Sequence, residues 1–306
     1  MTENKFKFVK LDDSASEHIS SPKYSYWKSV FKSFFASKMA ILMLVIMSAV
    51  IIMSIVHPMI SQYDNLNQQY INNSSMHYLR PSWDHWFGTD DVGREMFDMV
   101  WAGTQTSLFI AFTSTIITTL LGVIVGMFWG YSKKVDSIMI EVYNVISNVP
   151  YTLIVMILSF ALGSGVWQLI FALSCTSWIS TAYMIRVQVM IIRDREYNMA
   201  SRCLGTSTPK IIMHNILPFL ISVIMTSVSR SVPNFISYEV FLTYIGVGLT
   251  QEVTSLGRIV QNHAQYMQSA FYLFGIPLFI TALISVSLYI VGQALADASD
   301  PRTHMI

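Results

Sequence analysis

Charge is scarce in this chain. Asp, Glu, Lys and Arg make up 12% of its 306 residues, about half the ~25% usual for a soluble domain, which excludes an ordinary water-facing globule. Cysteine is nearly absent. Cys175 falls in a hydrophobic run and Cys203 in a polar one, so no disulfide is expected. None of the 14 glycines is followed by lysine. The chain therefore has no G-x-x-x-x-G-K-[ST] phosphate loop with which to hydrolyse ATP itself. A net charge of +1 leaves no basic excess for nucleic acid, and no internal repeat is evident.

Apolar residues are plentiful instead, at 53% with a mean hydropathy of +0.48. A helix needs about 20 mostly apolar residues to cross a bilayer, because lipid offers no partner to unpaired backbone groups. Six stretches qualify: 39–56, 108–130, 138–162, 166–185, 219–240 and 272–295. Arg230 and Pro233 interrupt the fifth. The first follows 38 residues with no small-residue cleavage site, and reads as a retained span rather than a signal peptide.

With the N-terminus inside, the cytoplasmic side carries the lysines up to Lys38, then Lys133, Lys134, Arg186, Arg193, Arg195, Arg202, Lys210 and Arg302. Only Arg80, Arg94 and Arg258 fall outside. By the positive-inside rule this orients the chain in the cell membrane with both termini cytoplasmic. The expected organisation is a cytoplasmic segment 1–38, a first span 39–56 and an external loop 57–107. A five-helix core 108–296 with a cytoplasmic loop 186–218 follows, then a tail 297–306.

Trp27, Phe31, Phe34 and Phe35 recur at helical spacing between lysines, which predicts an interfacial helix along the cytoplasmic leaflet. The external loop gathers Asp84, His85, Asp90, Asp91 and Glu95. No spacing among them matches a known metal-ligand set, and a contact surface or simple folded loop is the expectation. Gly122, Gly126 and Gly130 form a small-residue ladder that admits a second helix closely. Pro150, Pro233 and Pro277 fall within spans and can kink them.

The segment "YNMASRCLGTSTPKIIMHNILPF" lies between the fourth and fifth spans. A short helix over 196–204 is expected, with acidic Glu196 at its start and Gly205 just past its end. Ser207 or Thr208 then caps a second helix with Pro209 in its first turn, running to Leu217. The first helix presents Met199, Ala200, Cys203 and Leu204, small enough for close docking of another protein, and the flanking spans would carry its movement into the membrane. The rival reading is an amphipathic loop resting on headgroups.

This segment resembles the cytoplasmic loop motif of ABC importer permeases, E-A-A, three residues, G, nine residues, I-x-L-P. Met199, Ala200, Ser201, Gly205, Asn215, Leu217 and Pro218 stand in the matching places, and Met199 and Asn215 depart from the general pattern. "FGTDDVGREMFDMVWAGTQTSL" looks like the G-T-D-x-x-G-R-D segment of oligopeptide and dipeptide permeases, with Glu95 for aspartate and Met99 and Gln105 for arginines. "FLTYIGVGL", "TSLGRIV" and "VGQALADASDPR" resemble later pieces of the same family. The resemblance is to C-type permease subunits, in particular the Ami-like members of Gram-positive bacteria.

The resemblance implies an all-α membrane protein with six transmembrane helices of the type I ABC importer permease fold and a cytoplasmic coupling helix. It implies an oligopeptide importer built from this chain, a second (B-type) permease subunit, two cytoplasmic ATPases that use ATP and Mg, and an external substrate-binding lipoprotein. No cofactor or metal is assigned to this chain. ATPase coupling falls to Met199, Ala200, Ser201, Cys203, Leu204, Gly205 and Pro218. Glu141, Arg230 and Glu239, ionisable groups inside spans, are candidates for the translocation path. Two alternatives stay open: a permease for nickel or another small ligand, and a self-contained secondary transporter using Glu141 or Glu239 as a proton relay.

Overall fold

The computed structural model describes residues 26–61, 63 and 74–299. It is helical throughout apart from one isolated β-bridge, Thr89 to Glu95. The principal helices are α1 (Tyr26–Ala36), α2 (Lys38–Ser61), α3 (Met96–Tyr131), α4 (Lys133–Ser147), α5 (Tyr151–Leu162) and α6 (Val166–Arg193). They continue with α7 (Glu196–Cys203), α8 (Thr208–Ile211), α9 (Leu217–Tyr244), α10 (Leu256–His263) and α11 (Phe271–Ala298). Five elements are long and apolar enough to cross a membrane: α2, α3, α6, the stretch Thr208–Tyr244 that runs from α8 through α9, and α11.

The third expected span is not one helix. α4 and α5 meet at 82°, because Pro150 cannot donate a backbone hydrogen bond and disfavours helical geometry in Val149 before it. α4 is amphipathic and has no buried residue, whereas α5 is almost wholly apolar. The stretch 138–162 is therefore two helices about a sharp bend, the geometry of a broken span or a re-entrant loop. Pro233 and Pro277, by contrast, sit inside unbroken helices.

The bundle is organised by the glycine ladder. A methyl built at Gly122 would lie 2.6 Å from Thr181 Cβ, at Gly126 2.5 Å from the Ala182 carbonyl oxygen, and at Gly130 2.7 Å from the Arg186 carbonyl oxygen. Each rung of α3 thus rests on α6 backbone or Cβ atoms, the close approach that drives association in lipid, where burial of apolar surface gives no bias. Around this pair, Ile110, Leu169, Leu173, Ile236 and Leu256 form the main core. A second core, with Ile185, Val189, Ile211, Ile212 and Leu220, lies toward α7.

α1 is amphipathic as expected, with one reassignment. Trp27, Phe31 and Phe35 are exposed, but Phe34 turns inward with Val30 against Ala40 and Ala298. The helix is thereby docked on the end of α11.

At the opposite end of α3 from α7, the segment before Met96 folds around Asp90. Its Oδ1 accepts the N–H groups of Val92 (3.0 Å) and Arg94 (2.7 Å), and its Oδ2 accepts Arg94 Nε at 2.7 Å. Gly88, at φ +77°, passes so close to Leu79 that a methyl would lie 2.5 Å from its carbonyl oxygen. Tyr272 closes the loop by donating to the Thr89 carbonyl at 3.1 Å.

Candidate functional site

α7 begins with Glu196 in its first turn and stops at Gly205. The stop is a Schellman motif: Gly205, at φ +78°, donates its N–H to the Arg202 carbonyl, and Thr206 donates to that of Ser201, both at 3.0 Å. The chain then re-enters helix at Thr208 with Pro209 in the first turn, but Ser207 makes no side-chain capping bond. The second helix does not end at Leu217. Pro218 has no N–H for the His214 carbonyl, and the helix widens into a π turn over Ile212–Ile216, with the Leu217 N–H reaching the Ile212 carbonyl. It then runs into α9 without a break in direction strong enough to divide the span.

Met199, Ala200, Cys203 and Leu204 are exposed, Leu204 at 86%. Ser201 is different. Its hydroxyl donates to the Tyr197 carbonyl (2.9 Å) and accepts from the Asn215 amide (3.2 Å), so it faces the protein. Asn215 also donates to Asn198 Oδ1 at 3.1 Å, and fully buried Asn198 donates to the Ile192 carbonyl at 2.9 Å. The departure at Asn215 from the general loop pattern thus has a physical counterpart in a side-chain ladder tying α7 to the end of α6 and to the π turn. Asn198 carried no sequence signal, since a polar residue in an exposed-looking helix reads as surface.

A second set of contacts fastens the end of α6 to α3, and α7 to both. Arg193 donates to the Gly130 carbonyl at 2.8 Å and pairs with Asp194 at 3.1 Å. Arg202 donates to the Arg193 carbonyl and lies over the Tyr131 ring, 5.6 Å from its centroid. Hydrogen bonding from Arg193 holds the Asp194 carboxyl below the usual carboxylate range. α7 is thus in contact with α3, with the end of α6 and with the start of the Thr208–Tyr244 stretch.

Inside the bundle, a cavity of about 410 Å³ opens at the α4–α5 bend between α6 and α9. Tyr143, Ser147, Tyr151, Ser177, Ser231 and Asn234 are in its wall, and among the described residues no Asp, Glu, Lys or Arg lines it. The Tyr151 hydroxyl donates to the Leu173 carbonyl at 2.9 Å, while the buried Thr176 hydroxyl in the same wall has no hydrogen-bond partner. Such a surface offers hydroxyls and an amide to a polar, uncharged group.

Residues 118–305 match the family model described as the binding-protein-dependent transport system inner membrane component, and residues 25–81 match the N-terminal transmembrane domain of oligopeptide transport permease C. The chain belongs to this permease family. It is 52% identical over 300 residues to the oligopeptide transport system permease protein AmiD of Streptococcus pneumoniae, covering 98% of this chain and 97% of that one. It is 31% identical to the oligopeptide permease OppC of Bacillus subtilis, over 98% and 97% of the two chains. With the dipeptide permease DppC of the same organism identity is 32%, over 94% and 89%. A solved inward-facing MetNI methionine ABC transporter chain has the same fold, with a TM-score of 0.53 at 16% identity, covering 66% of this chain and 96% of that one.

The permease places the three path candidates away from the cavity. Glu141 and Arg230 are exposed on α4 and α9, and neither lines it. Glu239 is fully buried where α3, α9 and α10 meet. Ser107 donates to its Oε2 at 2.7 Å, Thr243 to its Oε1 at 3.1 Å, and Ser107 in turn accepts the Leu256 N–H at 3.1 Å. These bonds cross-link α3, α9 and α10 through the Glu239 side chain.

Replacing Asn198 with alanine removes one hydrogen bond to the Ile192 carbonyl and one from the Asn215 amide, each of which keeps another partner, at a cost of about 0.5–1.5 kcal/mol per bond. The expected result is faster hydrogen exchange over Glu196–Cys203 with the rest of the permease unchanged. Protection equal to wild type would show that the ladder does not hold α7.

Proposed function

We propose that this permease is one of the two membrane subunits of an ATP-driven oligopeptide importer, and that α7 is the helix through which partner ATPases act on it. The observation that carries the reading is α7 itself: an exposed face of Met199, Ala200, Cys203 and Leu204 on a helix hydrogen-bonded to α6 and to the start of the Thr208–Tyr244 stretch, and resting through Arg202 on Tyr131 of α3. In this reading α7 faces the cytoplasm, and the cap around Asp90 faces the substrate-binding lipoprotein outside. ATP and Mg are held by the two ATPase subunits, and this chain contributes neither nucleotide site nor catalytic residue.

ATP closes the ATPases and draws the two coupling helices together. Because α7 is bonded to α6 at Ile192 and Arg193 and rests on α3 at Tyr131, the pull changes the tilt of both helices and opens the pathway to the outside. Binding energy does this only to the extent that ATP favours the closed dimer over the open one, since a ligand with equal affinity for both states shifts nothing. The cavity at the α4–α5 bend supplies this subunit's half of the path. Its hydroxyl and amide lining suits peptide backbone groups, which every oligopeptide shares, and leaves selectivity by charge to the binding protein.

The test is gentle affinity purification from native membranes with mass spectrometry of what accompanies the chain. Recovery of a second permease and two Walker-motif ATPases supports the importer. Recovery of folded chain alone, with proton-driven peptide uptake after reconstitution, would overturn it in favour of a self-contained transporter.

A further inference from the structure

Sequence spacing in the cap pointed to no metal, and the reason is that a third donor comes from a distant helix. His263, at the end of α10, is 1% exposed and its Nε2 lies 3.9 Å from Asp90 Oδ2. Its Nδ1 is bonded to the Ile259 carbonyl at 2.8 Å, so Nδ1 carries the proton and Nε2 of the neutral ring carries the lone pair. Among the described residues Nε2 has no hydrogen-bond partner. One donor atom each from Asp90, Asp91 and His263 can be chosen so that all three lie within 4.8 Å of one another.

We propose that Asp90, Asp91 and His263 bind a divalent transition-metal ion of the Zn²⁺ or Mn²⁺ type, which clasps the cap to α10. Two carboxylates and an imidazole suit such ions, whereas Ca²⁺ and Mg²⁺ prefer all-oxygen sites. The outer contacts are those that orient metal ligands: a backbone carbonyl on the far nitrogen of the histidine, and the Tyr266 hydroxyl on Asp91 Oδ2 at 3.0 Å. Water completes the coordination, since three protein ligands leave a position open.

One contact opposes the ion. Arg94 Nε donates to Asp90 Oδ2 at 2.7 Å. A carboxylate oxygen has a second lone pair, so Asp90 can keep Arg94 and still ligate, but the guanidinium charge weakens the site. The competing account of the same geometry is a protonated His263 paired with Asp90, which needs no ion. The proposal is independent of the cargo and of the role of α7.

The experiment uses the full chain in detergent, carrying an affinity tag without histidine, stripped with chelator and titrated with CoCl₂. The expected result is a visible absorption band that saturates near one equivalent, is displaced by Zn²⁺ or Mn²⁺ and is unaffected by millimolar Ca²⁺. His263→Gln and Asp91→Asn should weaken binding by at least about tenfold, and Tyr266→Phe by about tenfold, the lower end for an outer-shell loss. The Asp91 side chain is half-buried and makes none of the bonds to the Asp90 carboxylate, so its variant keeps the test decisive if His263→Gln fails to fold. Absence of the band, equal affinity in Asp91→Asn, or displacement by Ca²⁺ would each overturn the site.

Discussion

Replacing Gly205 with aspartate abolishes peptide uptake while the protein stays folded in the membrane at close to its normal amount. The two effects separate because of where Gly205 lies. It is at φ +78°, and a Cβ placed there meets nothing within 4 Å. The cost within the chain is therefore conformational only, about 1–2 kcal/mol for a left-handed residue and less for aspartate, whose side chain tolerates that region. A folded domain with a margin of about 5–15 kcal/mol survives the loss. At the docking surface the account differs, because Gly205 adjoins Leu204 on the exposed end of α7. An unpaired carboxylate buried there on contact with the ATPase costs about 3–5 kcal/mol, which is at least a hundredfold in productive docking. Gly205→Asn, neutral and tolerant of the same backbone, should retain most transport. Uptake and ATP hydrolysis in reconstituted importer, with immunoblots of membranes for insertion, read out both. Normal uptake by the aspartate variant would show that α7 is not the coupling surface.

That prediction was available from sequence alone because the signals are local. Gly205 before a serine, a threonine and Pro209 marks a helix stop and restart wherever it occurs, and the Schellman bonds follow from that order of residues. The glycine ladder was similarly plain as an invitation to close packing, though nothing in the residues around it named α6 as the guest. The missed features are non-local or depend on competition between equals. The third span has hydropathy enough for a continuous helix, and only the geometry at Pro150 shows that α4 lies at 82° to α5. Glu239 is plain in the sequence as a costly intramembrane carboxyl group, but what satisfies it is not. Its partner Ser107 lies far away in the chain, and no pattern within either helix announces the pair. Asn198 and His263 were overlooked for the same reason: each is explained by a contact from another element.

Gly126→Val removes the folded permease rather than its transport step. The methyl-bearing Cβ would stand 2.5 Å from the Ala182 carbonyl oxygen, 3.0 Å from its Cα and 2.8 Å from Ile185 Cβ. Backbone atoms on α6 cannot rotate away as a long side chain would, so the helices must part. Overpacking costs about 1–3 kcal/mol where neighbours can adjust, and more where they cannot. Here the loss spreads along the ladder, because separating the middle rung also lifts Gly122 off Thr181 and Gly130 off Val189. In lipid no hydrophobic gain draws the helices back, since acyl chains cover the exposed surface as well as α6 does. The same separation stretches the Arg193 bond to the Gly130 carbonyl, which joins α6 to α3, and draws Tyr131 from under Arg202 of α7. The expected outcome is a large fall in the thermal midpoint of the purified protein and loss of most material to aggregation on extraction. Ile124→Val, on the exposed face of the same helix, should behave as wild type. If Gly126→Val instead melts with wild type, α3 and α6 do not pack through this ladder, and the route proposed for force from α7 into the membrane would have to pass through α6 and α9 without drawing on this packing.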